Sequence, residues 1–150
     1  MFVTHPIGII GEEEAVRMLE EKGFRILEHN WRMGHLEVDL IAENKKEMVF
    51  AEVKARTTTF GGKMPEEYVD EDKKRRMTAA ANAYIKLHKT EKRPRFDIIG
   101  IIVDAETKEI TYRGHLEDAF TPTIRTIGSG SYSGQWRWSH RTKTIGSKRQ

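Results

Sequence analysis

The order of apolar patterns along these 150 residues predicts an α/β domain with elements in the order α-β-β-β-α-β and a mixed central sheet flanked by helices. Three observations carry this. A helical-period segment ends at Gly23, three alternating strand-like segments follow in tandem, and an Ala-rich helical segment then leads into a near-continuous apolar run.

The first helix is read from Glu12 to Lys22: Ala15, Met18 and Leu19 share one face, acidic residues crowd the start, and Gly23 stops it. Phe24 to His29, Leu36 to Ala42 and Met48 to Ala55 read as strands separated by polar clusters. After a loop containing Gly61, Gly62 and Pro65, the segment Asp70 to His88 carries Met77, Ala80, Ala81, Tyr84, Ile85 and His88 at helical spacing. Phe96 to Val103 has the composition of a central strand buried on both faces, and Glu109 to Arg113 is a candidate edge strand. The domain is expected to span residues 1–120. Residues 121–150 read as a basic, flexible tail containing a Gly/Ser tract and Trp136-Arg137-Trp138.

Charge is unevenly placed. None of the 23 acidic residues and six of the 26 basic ones lie beyond Asp118, so the tail carries +6 and the rest −3. The absence of cysteine excludes disulfides and Cys-based zinc sites and fits a cytoplasmic protein. The N-terminus lacks the basic region of a signal peptide, and the longest apolar run falls far short of the ~20 residues of a membrane helix. No membrane partner is expected. Six scattered histidines show no i, i+4 pair, and the Gly/Ser tract lacks the ending of a phosphate-binding loop.

The candidate chemistry lies at Glu52-Val53-Lys54 and Asp39. Glu-x-Lys occurs five times in this chain, so the tripeptide alone carries no weight. Only the Glu52 instance falls inside a strand-like run, where alternation places Glu52 and Lys54 on one face, ~7 Å apart. Upstream, Leu36, Val38 and Leu40 are expected on one face, with Glu37 and Asp39 on the other. A hairpin around Asn44–Glu47 in symmetric register sets Asp39 opposite Glu52, although Lys45-Lys46 is not a turn sequence that enforces a register, and a slip of one residue would turn Asp39 away. Facing carboxylates, with Cβ atoms ~5 Å apart, repel unless a cation lies between them. Mg²⁺, or Mn²⁺ in its place, would resolve the conflict, with Lys54 alongside to hold a water or stabilise phosphate charge. The alternative is a solvated sheet face of charged pairs.

Several linked motifs resemble the YraN-like family of uncharacterised bacterial proteins: Gly11-Glu12-Glu13-x-Ala15, Gly23-Phe24, Asn30-Trp31-Arg32, Glu37-Val38-Asp39-Leu40-Ile41, Val49 through Arg56, Pro65-Glu66-Glu67 and Arg95-Phe96-Asp97. They run in order between about residues 8 and 120. The resemblance implies a restriction-endonuclease-like fold with a core similar to Holliday-junction resolvases, and hence a metal-dependent nuclease acting on DNA, including branched or damaged structures. In that pattern Asp39 and Glu52 match the metal-binding acids and Lys54 the catalytic lysine; the Val53 carbonyl is a candidate third ligand beside them. Glu12 matches a helix acid assisting catalysis; a charge favoured by the helix dipole is the other account of it.

Arg56, Lys73, Lys74 and Arg137 are the candidate nucleic-acid contacts. A solvated helix face explains Lys73 and Lys74 equally well. The rivals to the enzyme are a nucleic-acid-binding module of the same fold without efficient turnover and an interaction protein with a merely solvated charged face. A second copy of the chain is a further candidate partner.

Overall fold

His5 and Pro6 start the first helix. Proline is preorganised for the first helical position, where its missing N–H costs nothing, and the His5 ring accepts the Ile7 amide at 3.2 Å as the cap. Helix α1 therefore runs Pro6–Glu21, starting six residues before the expected Glu12–Lys22. Its first turn carries no acidic residue, and Glu12 lies in mid-helix. At the other end Gly23, at φ +91°, lets the chain turn back so that the Phe24 amide meets the Leu19 carbonyl at 3.0 Å.

The computed structural model describes residues 5–59, 61–67 and 69–121. Strands β1 (Arg25–Met33), β2 (Leu36–Glu43) and β3 (Glu47–Arg56) follow α1. A single 3₁₀ turn, Pro65–Glu67, precedes helix α2 (Glu71–His88), and β4 (Arg93–Val103) and β5 (Ile110–Leu116) complete the fold. The expected order is present, and the candidate edge strand is a true fifth strand shifted toward Leu116. The sheet runs β1-β2-β3-β4-β5; β3 and β4 are parallel and every other neighbouring pair antiparallel. A parallel pair needs a crossover, and α2 supplies it.

Each helix buries one face of the sheet. Ala15, Met18 and Leu19 of α1 pack on Leu40, Val49, Ala51, Ile99 and Ile101. Met77, Ala80, Ala81, Tyr84 and Ile85 of α2 pack on Val38, Ile41, Phe50, Phe96 and Ile98. Ile98 and Ile99 are fully buried, as expected of a strand covered on both faces. Gly11 lets α1 come unusually near β3, since a Cβ there would lie 2.6 Å from that of Ala55.

The β2–β3 register is the symmetric one, with Leu40 opposite Ala51 and Ala42 opposite Val49. A side chain substitutes for a stereotyped turn sequence. Asn44 Oδ1 accepts the amides of Lys46 and Glu47 at 2.9 and 2.7 Å, and its own amide reaches the Glu47 carbonyl at 3.0 Å.

One expectation fails in β2. Val38 packs under α2 whereas Leu40 packs under α1, so the two do not share a face. The strand register sets Asn30 opposite Asp39, and Asn30 has φ +50°. Asparagine tolerates this left-handed conformation, and the β1–β2 register also shifts between Ile26 and Glu28, so strict alternation does not hold along this ribbon.

Candidate active site

The β2–β3 ladder closes at Leu40–Ala51. One step beyond it, Asp39 no longer shares backbone hydrogen bonds with Glu52; instead its Oδ2 accepts the Val53 amide at 2.8 Å. A partly buried carboxylate is thus placed where two central strands part. The Val53 group in contact with Asp39 is the amide, not the carbonyl expected as a third ligand.

Burial raises the Asp39 carboxyl first, and the Glu52 charge adds to it; the Val53 amide opposes both, Glu12 raises it further, and Lys73 lowers it. The balance is about 8, against 3.8 for an ordinary aspartate. Near neutral pH this carboxyl holds a proton that a cation would displace. Glu12, on α1, is also raised by burial; the Asn30 amide at 3.3 Å and His29 lower it, and Glu52 and Glu37 raise it. Its helical position and these neighbours overturn the account of it as a dipole-stabilised first-turn acid. Glu12 faces the carboxylate group from one side of the sheet while Lys73 approaches from the other.

Lys73, in the first turn of α2, stands with Nζ 3.2 Å from Glu52 Oε2. It is therefore a counter-cation of the site rather than a member of a solvated face. Its neighbours differ: Lys74 pairs with Glu71 at 3.1 Å and lies over the Phe120 ring, while Arg75 and Arg76 both pair with Asp72. Asp70 caps α2 by accepting the Lys73 amide at 2.8 Å, which fixes where that turn begins.

Lys54 follows Glu52 by two along β3. Burial holds its ammonium below the ordinary lysine value, Glu52 opposes the shift, and Arg56 and Lys73 reinforce it. A lysine so placed donates hydrogen bonds from a partly dehydrated charge, which strengthens them. Arg56, half-buried at the strand end, donates to the Ala55 carbonyl at 2.9 Å. Arg137 lies outside the described residues, as does the rest of residues 122–150.

Among the described residues no group of three Asp, Glu, His or Cys side chains is arranged to hold a metal ion by itself. Asp39 and Glu52 nonetheless suit a hard cation. Mg²⁺ is commonly bound by one or two protein carboxylates together with waters and substrate phosphates, and the mutual repulsion that raises Asp39 is the electrostatic condition a divalent ion relieves.

Sequence reasoning assigned no role to Arg95 and Asp97, which prove to be structural. Asp97 is fully buried and accepts Arg95 through both oxygens at 2.9 and 2.7 Å, His115 at 2.7 Å and the Asp118 amide at 3.0 Å. Burial works to raise its carboxyl, and the His115 and Arg95 hydrogen bonds overcome it, leaving it below the ordinary value. The i, i+2 spacing of Arg95 and Asp97 on one strand face was the available signal. His115 comes from β5, and nothing local in the sequence announces it.

A UPF0102 protein of Bacteroides thetaiotaomicron is 42% identical over 118 residues, covering 79% of this chain and 94% of that one. One from Caldanaerobacter subterraneus is 37% identical over 115 residues, covering 76% and 93%, and one from Parabacteroides distasonis is 39% identical over 120, covering 79% and 95%. The model of the uncharacterised protein family UPF0102 matches residues 11–101, which include Glu12, Asp39, Glu52, Lys54 and Lys73, and the chain belongs to that family.

Proposed function

We propose that the chain is a Mg²⁺- or Mn²⁺-dependent nuclease that hydrolyses phosphodiester bonds in DNA, with branched or damaged structures as the substrate class. The observation that carries this reading is the state of Asp39: a carboxyl held near neutral by burial and by Glu52, placed where β2 and β3 part, with Lys54 two residues from its partner acid. Catalytic groups are commonly tuned in this way, whereas a solvated charged face would leave its acids near their ordinary values.

Asp39 and Glu52 would hold the divalent cation, which supplies positive charge opposite the phosphate oxygens. Lys54 donates hydrogen bonds to the attacking water and to a non-bridging phosphate oxygen, stabilising charge as the water attacks phosphorus and the bond to the leaving oxygen breaks. Glu12 accepts a hydrogen bond from that water, and its raised pKa makes it the better base. Lys73, Lys74 and Arg56 contact the DNA backbone, and Arg137 in the tail adds to nonspecific attraction.

The test is metal-linked stability alongside a cleavage panel of linear and branched DNA. Mn²⁺ at about a hundred times its Kd should stabilise the wild type by about 2.7 kcal/mol. Asp39→Asn should lose that gain and all cleavage. Equal stabilisation of both proteins rules out the carboxylate site. Salt-sensitive DNA binding by a wild type that cuts no member of the panel moves the reading to a binding module of the same fold.

A further inference from the structure

The fourteen residues between β3 and α2 separate Lys54 from Lys73, and midway along them the 3₁₀ turn Pro65–Glu67 packs onto the sheet against β3, β4 and β5. Glu67 makes the turn self-contained: its amide donates to the Met64 carbonyl at 3.0 Å and its carboxylate accepts the Met64 amide at 3.2 Å. Glu66 does something different. It points into the sheet and is only 6% exposed, which is unusual for a glutamate in a connecting loop.

The floor beneath it is made of glycine. Gly100 and Gly114 are direct partners across β4 and β5, and Gly100 is also the register partner of Lys54 on β3. A Cβ at either glycine would fall inside the Glu66 carboxylate. Two adjacent strands thus omit their side chains at one level to admit this group, so their Cα hydrogens point at its oxygens, a weak but recurrent contact. The Tyr112 hydroxyl donates to Oε2, and Oε1 is buried without a hydrogen-bond partner among the described residues. An orphaned buried oxygen lowers stability, and fitting it required two glycines within strands, so the arrangement costs the fold at three positions.

We propose that Glu66 is a positioning residue that latches the β3–α2 loop to the sheet. With the latch closed, the first turn of α2 is fixed relative to the end of β3, so Lys73 remains beside Glu52 and on the same side of the site as Lys54. The positioning role rests on the nuclease reading; the latch itself does not. Glu66 touches neither phosphate nor metal, and acts through the backbone it anchors. The loop is long enough to adopt many conformations unless something ties it midway, and the glycine-floored seat is that tie.

The full chain is compared with Glu66→Ala, Glu66→Gln and Tyr112→Phe by amide hydrogen exchange, DNA binding and single-turnover cleavage. Glu66→Ala should speed exchange of the Glu67, Lys73 and Lys74 amides at least ~10-fold, with β3 and β4 amides unchanged. It should lower the cleavage rate ~10-fold or more, while DNA binding weakens and Mn²⁺ binding tightens by no more than a few-fold, the smaller shifts expected of a Lys73 that is no longer held in place. Glu66→Gln keeps the shape and an acceptor for Tyr112 and should restore most of both effects, and Tyr112→Phe should fall between. Unchanged exchange at Lys73 in Glu66→Ala overturns the latch, and an opened latch with unchanged cleavage overturns its positioning role. If the wild type cuts nothing, the nuclease reading and the positioning role fall together, and exchange still decides the latch.

Discussion

Two groups of buried charge stand almost back to back on the central strands. Glu52 is the ladder partner of Ile98, and the residue before Ile98 is Asp97, which faces the other side of the sheet. Around Asp97 every charge has an answer: Arg95 takes both its oxygens and also meets Glu47 at 2.9 Å, and His115 links it to Lys22 at 2.8 Å. Around Asp39 the acids outnumber their partners. Glu52 and Glu12 add to burial in raising it, and Lys73, the cation that lowers it, pairs directly with Glu52 instead. One group is closed and holds the fold together. The other is left in conflict, as a site awaiting a cation would be.

The largest expected difference between the groups is in stability. Asp97→Ala strands the Arg95 guanidinium in a buried setting, and removing one member of a buried pair costs ~3–5 kcal/mol. Glu47 remains beside Arg95 and moves the expectation to the lower end. Asp39→Asn matches the shape of the neutral carboxyl and keeps an acceptor for the Val53 amide, so the metal-free protein should lose no stability. Urea denaturation at pH 7 measures both. Similar losses in the two variants would erase the distinction.

Their pH dependences should have opposite signs. Because the folded Asp39 carboxyl titrates near 8 and the unfolded one near 3.8, the folded state binds the extra proton between those values. Stability from this group is therefore full at low pH and falls as pH rises toward 8, by up to roughly 1.4 kcal/mol per unit and by less to the extent that solvent reaches the site. Asp97 is depressed, so its contribution is present above the unfolded value of about 4 and is lost as pH falls through the lower folded one. Metal-free wild type should lose stability between pH 5 and 8 relative to Asp39→Asn. Parallel curves over that interval would show that Asp39 is not held protonated.

Lys54 sharpens the contrast through rate rather than stability. A lysine that acts on the attacking water or on transition-state charge contributes more to turnover than to affinity. Lys54→Ala should bind branched DNA within a few-fold of wild type and cleave it at least ~10²-fold more slowly, while Mn²⁺ stabilisation persists because Asp39 and Glu52 remain. Equal single-turnover rates would remove Lys54 from the mechanism.

How much of this was legible in the sequence differs between the groups for a physical reason. Glu52 and Lys54 share a face by simple alternation, and the symmetric register that brings Asp39 near them follows from hairpin geometry, with Asn44 as the residue that enforces it. The left-handed Asn30 and the register shift between Ile26 and Glu28 were hidden, because such irregularities inside a strand break the period that alternation assumes. In β2, Leu40 and Val38 pack on opposite faces, and the ladder to β3 ends before Asp39. The helix start was missed although Pro6 signalled it, since the acidic run Glu12–Glu14 imitates a first turn. His115 with Asp97, and Glu66 over Gly100 and Gly114, depend on how β5 and the loop lie in three dimensions. No local pattern encodes them.

The smallest expected effect tests whether Lys73 is the weak counterweight that keeps the open group tolerable without metal. Its ion pair with Glu52 joins two partly exposed side chains, so its direct worth to stability is at most ~1 kcal/mol. Lys73→Met keeps most of the aliphatic stem and removes the charge. The carboxylates would then lack a competing cation, so Mn²⁺ should bind a few-fold more tightly, the sign expected when a local positive charge is withdrawn from a cation site. DNA should bind more weakly, with the slope of log affinity against log salt reduced by about one if Lys73 contacts a phosphate. The two affinities are thus expected to move in opposite directions in one variant, which a general loosening of the fold would not produce. Weaker Mn²⁺ binding by Lys73→Met would mean that Lys73 supports the carboxylates rather than competing for them, and the open group would then be as self-sufficient as the one around Asp97.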